Sequence, residues 1–134
     1  MECLLYSDGA ARGNPGPAGA GATILKADGT VVGEVCTYLG EMTNNQAEYR
    51  ALLLALDKAS TLGATQITIY ADSELLVRQV KGEYRVRDAG LKPLFHDVMG
   101  RLQKLDGYTI QHIPREKNKR ADQLANLAID SQKL

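Results

Sequence analysis

The feature that most constrains this chain is a change of hydrophobic period at Asn44. Before it, apolar residues come in short strand-like runs broken by Gly, Pro and Asp. After it, "NNQAEYRALLLALDKASTLG" carries apolar residues at positions 47, 51, 54, 55 and 62, the spacing of a helix face. Asn44 or Asn45 is placed to cap that helix and Gly63 to stop it. A chain that opens with strands and then takes up helical period must lay its helices against the sheet those strands form.

The segments fill that plan. Residues 2–7, "ECLLYS", predict a first strand ending at Asp8. "GAGATILKADGTVVGEVCTYLG" predicts a hairpin turning at Asp28 and Gly29, and the small residues at 18–22 predict close backbone packing. "QITIYAD" predicts a strand ending on Asp72, with Ser73 capping a short helix over "ELLVRQVKG". "RVRDAGLKPLFHDVMGRLQKLDG" predicts another helix, with Leu91, Leu94, Phe95, Val98 and Leu102 on one face. "YTIQHIP" reads as the last strand. "NKRADQLANLAIDSQ" reads as a terminal helix with Ala121, Leu124, Ala125 and Ala128 inward. The order β, β, β, α, β, α, α, β, α predicts one α/β domain over residues 1–134, a mixed sheet with helices on its faces.

Composition narrows the function. At 134 residues and 44% hydrophobic the chain supports one good core. Sixteen basic and sixteen acidic side chains cancel, which argues against a dedicated basic nucleic-acid binder. Any such binding must come from local patches and be weak and salt-sensitive. Two cysteines and two histidines, far apart, offer no zinc spacing; Cys3 and Cys36 sit in strand-like surroundings that predict buried, reduced thiols. "MECLLYSD" lacks a signal-peptide pattern and no apolar run is long enough to span a bilayer, so the expectation is a cytoplasmic protein without a membrane partner.

Four acids occupy informative places. Asp8 and Asp72 are expected at the carboxyl ends of neighbouring strands, where open α/β sheets bind ligands. Glu48 and Asp122 are expected in the first turns of two helices that can aim at the same edge. Singly, each has another explanation: the helix dipole for Glu48 and Asp122, a turn or cap for Asp72, an Asp-Gly turn for Asp8. Together, four carboxylates repel one another unless cations intervene. An all-oxygen set suits Mg²⁺ or Mn²⁺, and two such ions can stabilise both the attacking and leaving oxygens of a phosphodiester.

At this point the motifs resemble those of the type 1 ribonuclease H family over the whole chain. "SDGAARGNPGPAGAG" resembles its first-strand motif and "TNNQAEYRALLLAL" its helix motif. "IYADSELLVRQVKG" resembles the junction bearing the third acid, and "IPREKNKRADQLANLA" the loop and last helix bearing the fourth. The resemblance implies the ribonuclease H-like fold: a five-stranded sheet, β1–β3 antiparallel, with β4 and β5 parallel to β1. It implies a metal-dependent endonuclease that cuts the RNA strand of RNA–DNA hybrids, leaving 5′-phosphate and 3′-hydroxyl ends. Asp8, Glu48, Asp72 and Asp122 would bind two Mg²⁺ ions, with Mn²⁺ as a substitute. The backbone of residues 10–14 and the amides of Asn14, Asn44 and Gln46 would read the RNA 2′-hydroxyl, and Thr43 with Asn14 a DNA-strand phosphate. The protein would act as a monomer. The alternatives are a broader nuclease that also cuts double-stranded RNA, and a binding module without chemistry.

The chain departs from the better-known bacterial pattern in several places. His112 has a suitable offset for the histidine many members carry before the fourth acid, but falls in a strand. Arg115, in "PREKN", resembles the arginine some members carry there and is the preferred catalytic assistant, with Lys117 beside it. The segment "VKGEYRVRDAGLKPL" is too short for the family's basic, tryptophan-bearing handle. Lys81, Arg85, Arg87 and Lys92 are its modest remainder. Glu74 stands where a glutamine is common.

Overall fold

The computed structural model describes residues 1–132. β1 (Glu2–Ala11), β2 (Gly16–Lys26) and β3 (Val31–Met42) form an antiparallel meander. α1 (Asn44–Thr61), β4 (Gln66–Ala71), α2 (Glu74–Val80), α3 (Lys92–Gln103) and β5 (Gly107–His112) follow. A 3₁₀ turn (Arg115–Lys117) then leads into α4 (Lys119–Ser131). The sheet order is β3-β2-β1-β4-β5, with β4 parallel to β1 and β5 parallel to β4. The expected mixed sheet is present.

Successive strand residues face opposite ways, which assigns the two helix layers. A Cβ at Gly9 would strike the backbone of Ala47 in α1; one at Gly21 would strike the backbone of Ala121 in α4. Gly9 pairs with Ala20, and Gly21 with Asp8. So α1 lies on one face of β1–β2 and α4 on the other, and the small residues of β2 permit the close contact expected of them. Between the sheet and α1 lies the core, where Leu5, Ile24, Leu52, Ile67, Ile69 and Val98 are fully or nearly fully buried. Burying each such side chain contributes roughly 1.5–3 kcal/mol. A buried hydrogen bond from the Tyr49 hydroxyl to Gln79 Oε1, 2.6 Å, ties α1 to α2.

Several expectations need correction. β1 does not end before Asp8: its ladder with β2 runs from Cys3↔Lys26 to Ala11↔Ala18, so Asp8 and Gly9 are strand residues rather than a turn pair. α1 is capped by Thr43, not by Asn44 or Asn45. Gln46 N donates to Thr43 Oγ1 at 3.2 Å, and Thr43 N donates to Gln46 Oε1 at 3.0 Å, a reciprocal capping box. Helical structure is absent from residues 85–91, because Asp88 turns that segment: its Oδ1 accepts from Gly90 N at 2.6 Å and its carbonyl from Leu91 N at 3.0 Å. Cys3 is buried as expected, but Cys36 is exposed on the edge strand β3, and both thiols are free. The turn at Asp28 and Gly29, the Gly63 stop at φ +90° and the Ser73 cap of α2 all form as expected. Among the described residues, no helix is long and apolar enough to cross a membrane.

Candidate active site

The site is built where the β1–β4 ladder stops. Its last pair is Ser7↔Ala71. The next residue on each strand is an acid, Asp8 and Asp72, so two parallel neighbours deliver two carboxylates side by side. Asp8 still pairs with Gly21 on its other side and is only 6% exposed.

Glu48 arrives from the opposite helix layer. It lies beyond the first turn of α1, which holds no acid, so the helix dipole does not account for it. Gly9 accounts for its position. A Cβ at Gly9 would lie 2.2 Å from the Ala47 carbonyl and 2.4 Å from Glu48 N. With no side chain there, the α1 backbone rests directly on β1, and Gly9 N donates to Glu48 Oε1. Oxygens of Asp8, Glu48 and Asp72 thereby all lie within 4.8 Å of one another.

Asp122, in the first turn of α4, is the fourth acid to arrive. It stands outside that tightest trio but close enough that it, Glu48 and Asp72 all act on Asp8. Asn118 sets its approach. Although it occupies the N-cap position, its side chain makes no cap bond; its Nδ2 donates instead to Ser7 O at 2.9 Å, where the ladder ends. Arg115 Nη2 reaches Asp122 Oδ1 at 3.3 Å from an exposed turn.

Burial first, and then the charges of Glu48 and Asp72, push the Asp8 carboxyl well above the ordinary carboxylate range. Burial also raises Glu48, against the lowering effect of the Gly9 N–H. Such a cluster is costly when fully ionised without a cation. Its all-carboxylate oxygens fit a hard divalent ion such as Mg²⁺ or Mn²⁺ and offer nothing to a soft one. A groove of about 410 Å³ opens over it, lined by the four acids together with Arg12, Asn44, Arg115 and Asn126.

The other expected residues fall into three places. Asn14 Oδ1 accepts from Asn44 N at 3.1 Å, which joins the β1–β2 turn to the start of α1 at the rim of the groove. Thr43 and Gln46 form the capping box, the side-chain oxygen of each accepting from the backbone N–H of the other. His112 pairs with Ala71 at the end of β5 and does not line the groove over the acids; it lines a neighbouring one with Glu74, Arg78 and Lys81. Glu74 is paired to Arg78 at 2.9 Å. Sequence reading missed Arg12, Asn118 and Asn126. The signal for Asn118 was an asparagine directly ahead of a helix; for Asn126, its place one turn after Asp122.

A family described as "Reverse transcriptase-like" matches residues 6–128. The bifunctional protein Rv2228c of Mycobacterium tuberculosis is 40% identical over 98% of this chain, which spans only 36% of that relative's length. Ribonuclease HI of Halobacterium salinarum is 42% identical over 93% of the chain, covering 63% of that relative. A crystal structure of RNase H1 from that archaeon superposes with a TM-score of 0.96 at 40% identity, covering 98% of this chain and 99% of that one. LC11-RNase H1, solved in complex with an RNA/DNA hybrid, superposes with a TM-score of 0.94 at 42% identity, with the same coverage.

Proposed function

This chain belongs to the type 1 ribonuclease H family, and from that premise we propose that it is a metal-dependent endoribonuclease hydrolysing the RNA strand of RNA–DNA hybrids. The observation that carries the reading is the convergence of Asp8, Glu48 and Asp72 oxygens within 4.8 Å, from two strands and the opposite helix layer. A purely structural role gives no reason to gather buried acids whose mutual repulsion opposes folding. The hybrid bound by LC11-RNase H1, a relative of nearly the same length, supports the substrate class.

When bound, a pair of Mg²⁺ ions supplies Lewis-acid charge to the attacking and leaving oxygens of the scissile phosphate. Asp8, Glu48, Asp72 and Asp122 would hold the pair, Asp8 and Asp72 nearest the phosphate. The Gly9 N–H holds Glu48 towards the cluster, so that carboxylate is oriented before substrate arrives. Asp122 would hold the ion that orients the attacking water; the oxygen of that water bonds to phosphorus as the P–O3′ bond breaks, the water gives up a proton to solvent and the leaving O3′ takes one up. A 5′-phosphate and a 3′-hydroxyl result. Arg115 offers a guanidinium to the phosphate at the exposed side of the groove. The backbone of residues 10–14, with Asn14, Asn44 and Gln46, reads the 2′-hydroxyl, and Thr43 with Asn14 seats a phosphate of the DNA strand.

The test is a cleavage panel of matched hybrid, RNA duplex, DNA duplex and single-stranded RNA, with Mg²⁺, Mn²⁺ and EDTA. Hybrid cleavage that EDTA abolishes is expected. Equal cutting of the RNA duplex would indicate a broader nuclease, and binding without cutting would overturn the enzymatic reading.

A further inference from the structure

We infer that Asn126 is a positioning residue, which together with Arg12 pins the carboxylate of Asp122 in the orientation the acidic site needs. The inference rests on the nuclease reading above and deepens it.

The argument begins with spacing. Asn126 lies four residues after Asp122 on α4, so the two side chains share a helix face. Asn126 Nδ2 donates to Asp122 O at 3.0 Å and to Asp122 Oδ1 at 3.3 Å. An amide can present either end to a neighbour, and which end it presents follows from its partners. Here the partner is Arg12, from the β1–β2 turn. Arg12 Nη2 donates to Asn126 Oδ1 at 3.2 Å and to Asn126 O at 3.4 Å, and its Nη1 pairs with Asp130 one turn further on. A guanidinium has only donors. It therefore claims the oxygen end of the Asn126 amide and turns the NH₂ end onto Asp122.

The result is a relay from the β1–β2 turn to the fourth acid. Asp122 Oδ1 takes two donors, Asn126 Nδ2 from α4 and Arg115 Nη2 from the preceding turn. Two donors on one oxygen hold the torsion of a side chain that is 28% exposed and that also reaches Asp8. Asp8 and Glu48 are instead buried, and Glu48 also accepts from Gly9 N. Arg12 also gives the relay a second consequence. The turn proposed to lie against the substrate is tied to the same helix that carries Asp122.

The test uses the metal-free protein titrated with Mg²⁺ by calorimetry, comparing wild type, Asn126→Ala, Asp122→Ala and the double variant. Asn126→Ala should raise the Mg²⁺ dissociation constant roughly tenfold, as loss of a partner holding a metal ligand typically does. On the Asp122→Ala background the same change should cost nothing more. In cleavage assays, added Mg²⁺ should restore the Asn126→Ala rate with KM for the hybrid unchanged. Wild-type Mg²⁺ affinity in Asn126→Ala, or an equal loss on both backgrounds, overturns the inference. A readout without any ion separates it from the parent reading. In EDTA, one of the two Asn126 side-chain amide proton resonances should move towards its free-amide position in Asp122→Ala, the other keeping its bond to the backbone carbonyl of residue 122; two resonances that stay put overturn the pin. A wild type that binds no Mg²⁺ overturns the nuclease reading instead.

Discussion

Asp8 is held by its own strand in a place where its charge is unwelcome without a counter-ion. Burial and its acidic neighbours raise its carboxyl above the ordinary range. Replacing it should therefore act in opposite senses on stability and on activity. Asp8→Asn removes a buried charge while keeping the shape, so the metal-free protein should melt at a higher temperature than wild type. Hybrid cleavage should fall by roughly a hundredfold or more, the scale on which charge stabilisation at a reacting centre is lost. Melting by calorimetry in EDTA and single-turnover cleavage in Mg²⁺ check the two halves; a variant that cleaves like wild type would remove Asp8 from the site. At this scale the four acids were picked out by the motifs that carry the family resemblance, since each one's place alone is explained by a turn, a cap or the helix dipole, and Glu48 lies beyond the first turn expected for it. Asn126 and Arg12 were not legible, because their significance lies in a contact between residues 114 positions apart.

The junction of β1 and α1 is the element on which the site depends. Gly9→Ala places a methyl 2.2 Å from the Ala47 carbonyl, with backbone on the receiving side that cannot rotate away. Overpacking of this kind costs typically 1–3 kcal/mol and here must also lift Glu48 from the Gly9 N–H. We expect loss of both stability and cleavage, the cleavage loss exceeding anything explained by the unfolded fraction. Thr43→Ala gives the contrasting case. It breaks the capping box at the same helix end, should cost about 1 kcal/mol in chemical denaturation, and should leave the three-acid cluster assembled. Equal losses of kcat at saturating hybrid in the two variants, after correction for stability, would remove the special role of the Gly9 contact. The helix itself was legible from its period. Its cap was displaced by one residue, because Thr43 has Gln46 three positions on to complete a reciprocal pair, while Asn44 N is taken by Asn14.

For the molecule as a whole, the raised acids make stability depend on pH. A carboxyl whose folded pKa exceeds its unfolded value binds more protons when folded, so stability falls as pH rises from the unfolded pKa towards the folded one. Asp8 and Glu48 are both raised, so the metal-free protein should melt at progressively lower temperature as pH climbs above the ordinary carboxylate range. Saturating Mg²⁺ should flatten that slope by stabilising the ionised form. A pH-independent melting temperature in EDTA would contradict the buried cluster. Binding follows the charge distribution. With zero net charge, and with Lys81, Arg85, Arg87 and Lys92 the exposed basic residues along the α2–α3 connection beside Arg115 at the groove, few phosphates are neutralised. The plot of log KM against log salt should have a slope no steeper than about 4, and a much steeper one would reveal basic contacts elsewhere. The element order and the mixed sheet were legible in the amino-acid sequence alone, because hydrophobic period and turn chemistry act over a few residues; the four acids stood out there only through the motifs' resemblance to a known family. The tertiary structure alone decided that Asp8 lies inside a strand, that Gly9 lets α1 press Glu48 against it, and that Arg12 and Asn126 hold Asp122. Each of those depends on how closely two backbones or side chains from distant segments approach, a distance that no local pattern encodes.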